Sequence, residues 1–365
     1  MIEIRDKKLC SGCTACASIC PVNCISMERD EEGFLYPVVD KSHCIGCGLC
    51  ERICPILNKK KDEKIAPKAY AAINNDLSVR MNSSSGGVFS LLADYVLDNG
   101  GVVFGASFDE KFNVHHTYIE RKEDLQKLRV SKYVQSDMRD SFKKAKELLD
   151  SGRLVLFTGT GCQIGGLKSY LRKDYDNLIT QDLICHGVPS PLVWEKYLEY
   201  RGDGKSFKEI SFRKKSEEKK KASFYIKYSD GAIYQRCPYP ADPMVKLFLM
   251  NKCLRPCCYE CAFKTITRQS DMTLADFWGI NTVYPKINDG KGVSLILVHT
   301  DKGRKLVDAI KEKMTYKEVP FKSAVRFNKM YYKCAFKNPI RKKFFSDLKR
   351  LPFEKMISRY GWGLL

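Results

Sequence analysis

A chain of 365 residues can bury a core and divide into two or three domains, so it needs no disulfide staples. Seventeen cysteines, an odd count in a chain that opens MIEIRDKKLC without an apolar leader, therefore point to metal or redox chemistry in a reducing, cytoplasmic setting. The formal charge of +20 lies wholly downstream of residue 57, because residues 1–57 carry eight acidic against six basic side chains. No motif for reading DNA or RNA accompanies the basic runs, which read as solvated faces; acidic or phosphate-bearing partners are expected and nucleic acid is not.

The N-terminus carries one pattern twice, CSGCTACASICP from Cys10 and CIGCGLCERICP from Cys44. Each is C-x2-C-x2-C-x3-C-P, the run with which bacterial ferredoxins hold two 4Fe-4S clusters. Three cysteines on a tight loop reach three corners of one cube, and the fourth, opening the next turn, points to the other. One cluster is expected on Cys10, Cys13, Cys16 and Cys54, and the second on Cys44, Cys47, Cys50 and Cys20. Gly12, Gly46 and Gly48 suit backbone that passes close to sulfide, and Pro21 and Pro55 end the loops. Zinc also accepts four thiolates but does not require this spacing twice. Cys24 falls outside both quartets and reads as a small buried hydrophobe.

NKKKDEKIAPK after Ile56 reads as a linker. Val88, Leu91, Leu92, Tyr95 and Val96 then recur at helical spacing, predicting a helix from Gly86 or Gly87 to Asn99. Ser83, Ser84, Ser85, Gly86 and Gly87 before it offer hydroxyls and N–H groups to a phosphate, although a capped helix start explains them as well. VVFGASFD and VHHTYIE read as paired strands, which gives His115 and His116 structural roles. DSFKKAKELLDSG, RLVLFTGTG, IGGLKSYLRKDY, LITQDLICHG and SPLVWEKYLEYR then alternate helix and strand, the signature of a parallel crossover. Cys162 is expected just past the first of these strands and Cys185 at the end of the second, on the edge where open α/β sheets bind ligands. ASFYIKYSDGAIYQRC reads as a hairpin, and GVSLILVHTDKGRKLVDAIKEK as a strand and a helix. Between them NKCLRPCCYEC packs four further cysteines into eleven residues. No run approaches eighteen apolar residues, so no membrane span is expected.

SSSGG, SKYVQS, GTGCQIGGL, CHGVPSP, LRPCCYEC and SDMTLADFWG, in this order after a two-cluster module, resemble the beta subunits of coenzyme F420-reducing hydrogenase and of F420-linked formate dehydrogenase. Members of that family are iron–sulfur flavoproteins carrying FAD beside a further 4Fe-4S cluster. They pass electrons between clusters and a two-electron carrier such as reduced F420. The resemblance matches the family's cysteine motifs to Cys162 with Gln163, to Cys185 with His186 and Gly187, and to Arg255 through Cys261. Gly161 replaces a usual proline, Cys257 a serine and Ala275 a glycine. It implies a third 4Fe-4S site on Cys162, Cys185, Cys258 and Cys261, with structural zinc as the alternative, while Cys253 reads as structural and Cys257 as an extra thiol. It also implies FAD phosphates near Ser84, Ser85, Gly86 and Gly87, with Lys132, Tyr133, Gln135 and Ser136 approaching the cofactor.

The expected fold is α+β or α/β: a bacterial-type two-cluster ferredoxin domain (1–57), a linker (58–67), and a mixed α/β flavin- and cluster-binding domain. That domain is expected in two regions, 68–150 and 151–330, followed by a basic helical segment, 331–365. The expected function is electron transfer between clusters and a two-electron carrier, F420-like or NAD(P)H, through FAD, alongside a redox partner protein. The alternative is a non-enzymatic wiring subunit of a larger redox complex.

Overall fold

The computed structural model describes residues 1–59, 63–216, 222–237 and 241–361. In the N-terminal module a hairpin of β1 (Ile25–Arg29) and β2 (Leu35–Val39) lies between the two cysteine loops. Both loops take the same backbone path: Gly12 and Gly46 stand at φ 68° and 67°, and Thr14 and Gly48 at 65° and 68°. Each pair leads into a one-turn helix, Ala15–Ser18 or Leu49–Arg52. Left-handed residues two apart curl each loop tightly, a path on which backbone N–H groups can turn towards anionic sulfur. A threonine held in the left-handed region costs about 1–2 kcal/mol, so the loop shape is imposed on Thr14 by its surroundings.

The body is built on β3 (Lys68–Asn74), β4 (Val102–Phe108), β5 (Val114–Ile119), β6 (Val155–Thr158), β7 (Leu178–Leu183), β8 (Phe207–Lys214), β9 (Ser223–Tyr228), β10 (Ile233–Arg236), β11 (Met272–Asp276), β12 (Ser294–Val298) and β13 (Met314–Val319). Eight of these form one sheet in the order β13-β3-β12-β11-β7-β6-β4-β5. The pair β6–β7 is parallel, as the alternation predicts, β4–β6 and β7–β11 are parallel as well, and the flanks are antiparallel. Alternate residues face opposite layers. Val103, Leu156 and Ile179 meet the helices Val88–Asp98 and Asp301–Ile310. Val102, Phe104, Val155 and Phe157 meet Ser141–Asp150 and Gly161–Leu171. Strands from both 68–150 and 151–330 share this sheet.

Two placements differ from the sequence expectation. Cys162 lies in the first turn of Gly161–Leu171 rather than before the helix, because Thr160 and Gln163 form a capping box that starts the helix early. Cys185 lies two residues beyond β7, which ends at Leu183.

A second core joins β8, β9 and β10 to helix Pro191–Gly202 and to the C-terminal helices Arg341–Leu348 and Phe353–Tyr360, around Trp194, Tyr197, Phe212 and Phe344. Phe34 and Tyr36 of the module enter the same core. The C-terminal basic run is therefore not simply a solvated face: Arg341 donates to Glu32 at 2.9 Å and Lys349 to Glu31 at 2.7 Å, which seats the acidic hairpin turn. Lys215 of the RKKSEEKKK run is likewise enclosed, donating to Ser85 O at 2.6 Å and Lys291 O at 2.8 Å. Residues 217–221 of that run lie outside the described residues. Among the described residues no helix is long and apolar enough to cross a membrane.

Candidate metal centres

The eight N-terminal thiols fall into two groups around two cavities. Cys10, Cys13, Cys16 and Cys54 line one, with Ile2, Ile4 and Met27. Cys20, Cys44, Cys47 and Cys50 line the other, with Val22, Ile25 and Ile45. The fourth cysteine of each repeat thus sits in the opposite cavity, as the x3 spacing expects. Among the described residues no three His, Cys, Asp or Glu side chains converge tightly enough to hold one ion, so each quartet rings a cavity rather than a point. Four thiols, apolar walls and a tightly curled loop fit a 4Fe-4S cluster. Burial pushes Cys13 up to about 11 and raises Cys16 further; such thiols keep their protons at neutral pH until iron displaces them. Cys24 is buried, but its sulfur is 3.4 Å from Cys20 Sγ, and that hydrogen bond, ahead of burial, pushes it up to about 12.

A third set of thiols gathers at the C-terminal edge of the sheet. Cys162 comes from the helix after β6, Cys185 from the loop after β7, and Cys258 and Cys261 from the turn Pro256–Glu260 and its end. Burial raises Cys162 well above the ordinary thiol range, and repulsion from Cys261, Cys185 and Cys258 adds to it. Burial likewise lifts Cys185 to about 11 and Cys261 to about 12, while Cys258 is raised first by its hydrogen bond to Cys257. Four thiols at one sheet edge, Cys258 buried and the other three half-buried, fit a site that a cationic cluster would stabilise. Lys264 closes one side, donating to Cys185 O at 2.7 Å and Met330 O at 2.9 Å. Cys334, which the motif search passed over, accepts the Cys261 N–H at 3.2 Å. Cys253 is fully buried in the core around Trp194, apart from the quartet.

The third set and the first quartet are packed together. Gly166 lies one turn beyond Cys162 on the same helix face, about 6 Å along the axis. A Cβ at Gly166 would stand 2.8 Å from Cys13 Cβ and 3.0 Å from its sulfur. From the other side, Arg255 reaches out of LRPCCYEC: its Nε donates to Cys10 O at 2.9 Å and its second terminal nitrogen lies 3.6 Å from Cys10 Sγ. The second quartet is the outermost, with Cys47 exposed and Ile45 63% accessible.

The residues expected around a flavin divide. Ser84 Oγ accepts from Ser131 N at 2.8 Å, Ser85 Oγ donates to Val293 O at 2.9 Å, and Gly86 N donates to Ser294 Oγ at 3.0 Å. A Cβ at Gly86 would meet Ala72 O at 2.5 Å, so the glycine is required by close packing on the sheet. Gly87, at φ 83°, starts the helix. These groups tie the loop to Ser131 and to the sheet through internal hydrogen bonds. Lys132 is an enclosed lysine whose ammonium donates to Arg129 O and Val130 O, and burial pulls it down to about 7. Tyr133 stacks on Phe248, whose edge meets His186. Gln135 turns to the first quartet, donating to Ser11 O at 3.2 Å. Ser136 joins an interior chain, donating to His116 Nδ1 at 2.7 Å and accepting from Gln163 Nε2 at 2.9 Å.

Sequence reasoning missed the cations beside the serine loop. Arg80, buried, pairs with Asp289 at 2.7 Å; Lys215 holds the loop carbonyl of Ser85, and burial lowers it to about 8. Arg213 pairs with Asp276, two residues before the exposed Trp278. No local signal distinguishes these from ordinary surface charge, because their partners are distant in sequence.

Family models match three stretches: a 4Fe-4S dicluster domain over residues 9–57, the N-terminal part of the coenzyme F420 hydrogenase/dehydrogenase beta subunit over 69–143, and its C-terminal part over 152–323. Among solved structures, a chain of the xenon-derivatised F420-reducing [NiFe] hydrogenase complex from Methanosarcina barkeri shares the fold at TM-score 0.50 and 17% identity, over 82% of this chain and 94% of that one. No curated protein matches. Fold and thiol sites define an iron–sulfur electron-transfer subunit. The chain belongs to the coenzyme F420 hydrogenase/dehydrogenase beta subunit family and carries a 4Fe-4S dicluster domain at its N-terminus.

Proposed function

We propose that the chain is an iron–sulfur flavoprotein oxidoreductase that moves electrons between its own 4Fe-4S clusters and a two-electron carrier, F420 or NAD(P)H, with FAD as cofactor. One observation carries this reading: a third set of four thiols gathers at the ligand edge of the sheet and packs, through Gly166 and Arg255, against the first quartet. Cys44, Cys47, Cys50 and Cys20 hold the outermost cluster, where a redox partner protein meets the exposed Ile45. Cys10, Cys13, Cys16 and Cys54 hold the middle one, and Cys162, Cys185, Cys258 and Cys261 the innermost. A flavin, when bound, takes the two electrons of a hydride and passes them on singly. Lys215, which donates to Ser85 O, brings a cation to the serine loop near which the flavin's phosphates are expected.

A second reading, a wiring subunit without its own flavin, is favoured by the internal bonding of Ser84, Ser85 and Gly86. Protein purified anaerobically decides between them. Three clusters give about twelve iron atoms per chain, and about eight would remove the third. Flavin released on denaturation, with clusters bleached by reduced F420 or NADPH, supports the enzyme; full iron without flavin leaves the wiring subunit.

A further inference from the structure

Arg255 is fully buried. Its Nε donates to Cys10 O at 2.9 Å, one terminal nitrogen to Gln135 Oε1 at 3.0 Å, and the other to Leu35 O at 2.9 Å and towards Cys10 Sγ at 3.6 Å. The guanidinium lies over Tyr36 at 4.2 Å. Every oxygen it uses is neutral, and a buried cation needs a counter-charge. The groups that can supply one are the sulfurs of cluster-ligating cysteines: Cys10 on one side and Cys258, whose N–H donates to Arg255 O at 3.0 Å, on the other.

The internal repeat provides a control. Gly46, which matches Gly12, has open space where a Cβ would stand, whereas a Cβ at Gly12 would meet Arg255 at 2.8 Å and Gln135 at 2.9 Å. The first loop is thus covered at this position by a buried cation from a distant segment, whereas in the second the matching glycine is uncovered and the nearby cation is Arg52 of its own helix, whose Nη1 would lie 3.3 Å from a Cβ at Gly48.

We propose that Arg255 is the shared counter-cation of the first quartet and the third thiol set, and that its charge raises the reduction potential of the cluster held by Cys10, Cys13, Cys16 and Cys54. The inference rests on the reading of these quartets as 4Fe-4S sites. Reduction adds one electron to a buried cluster, and burial disfavours that extra negative charge. A permanent positive charge on a ligand cysteine's backbone and sulfur offsets the penalty, since net charge and hydrogen bonds to sulfur set cluster potentials. Arg255 acts through Cys10 and is a positioning residue.

The test is potentiometric titration of the whole, cluster-loaded chain, followed by electron paramagnetic resonance. Cys13→Ser identifies the midpoint that belongs to the first quartet. Arg255→Met removes the charge, Arg255→Lys keeps it, and Gln135→Glu places a carboxylate about 3.0 Å from the guanidinium without removing it. In Arg255→Met and Gln135→Glu that midpoint should fall by about 59 mV or more, a tenfold change in a one-electron equilibrium. The midpoint of the Cys44 quartet should stay, and Arg255→Lys should remain near the parent. An unmoved midpoint with full iron in Gln135→Glu overturns the proposal. Iron loss in all three variants overturns it as well, since that marks a packing role; loss in Met and Glu but not Lys supports it. If Cys13→Ser changes neither iron nor spectrum, the cluster reading of the first quartet is what has failed.

Discussion

At the residue scale the NKCLRPCCYEC thiols are unequal, and their burial partners separate them. Cys258→Ala or Cys261→Ala should remove about four iron atoms per chain. Cys253→Ala should keep the full complement and cost only about 1 kcal/mol of stability as lost packing, readable by iron assay and urea unfolding. Equal iron loss from Cys253→Ala would refute the division. His116 offers a pH test. It is 3% exposed and burial lowers it to about 4. Between the unfolded value near 6.5 and that folded value the unfolded chain binds the extra proton, so stability falls as pH drops through this window. Relative to His116→Gln, the parent should lose about 2 kcal/mol between pH 7 and pH 5. A constant difference across that range would mean that the imidazole is not held neutral.

At the scale of elements, helix Gly161–Leu171 places Cys162 in the third set and Gly166 against Cys13 on a single face. Gly166→Val should wedge the helix away from the first quartet, lowering iron by about four atoms or slowing electron passage between the inner and middle sites at least tenfold, while Gly165→Ala would strike only Phe263. Stopped-flow reduction of the clusters reads either result. Much of the element pattern was legible, because β4 to β7 and their helices alternate locally and carry clean apolar periods. β3, β8 and β13 were not. KAYAAIN is alanine-rich and follows a charged linker, and it becomes a strand only because β12 and β13, more than two hundred residues away, close on both its sides. The same cause hid Arg80 and Lys215. The grouping of the eight N-terminal thiols was legible because their spacing is short-range, whereas the bonds of Gln135 to Ser11 and of Ser136 to His116 and Gln163 join residues distant in sequence.

At the scale of the whole molecule the opposite charges of the two ends are explained by their contact. The acidic turn at Glu31 and Glu32 sits on Lys349 and Arg341, so part of the +20 is used internally and the module is fixed in one orientation. That orientation leaves Cys47 and Ile45 outward. Ile45→Glu should therefore slow electron exchange with a partner protein roughly tenfold, by placing an unpaired charge at the contact, and leave iron content and reduction by dithionite unchanged. An equal effect on both rates would mean that the exposed loop is no meeting point.

The packing of Arg255 and Gly166 on the first cysteine loop also orders events during synthesis. A chain made from its N-terminus completes both ferredoxin loops by residue 57, long before Gly166 and Arg255 exist to cover Cys13 and Cys10. Until those later segments arrive, iron and sulfide can also reach the first quartet from the side that Gly166 and Arg255 cover. Loading the finished, folded chain should be slower at that quartet than at the Cys44 quartet, where no distant segment covers Gly46.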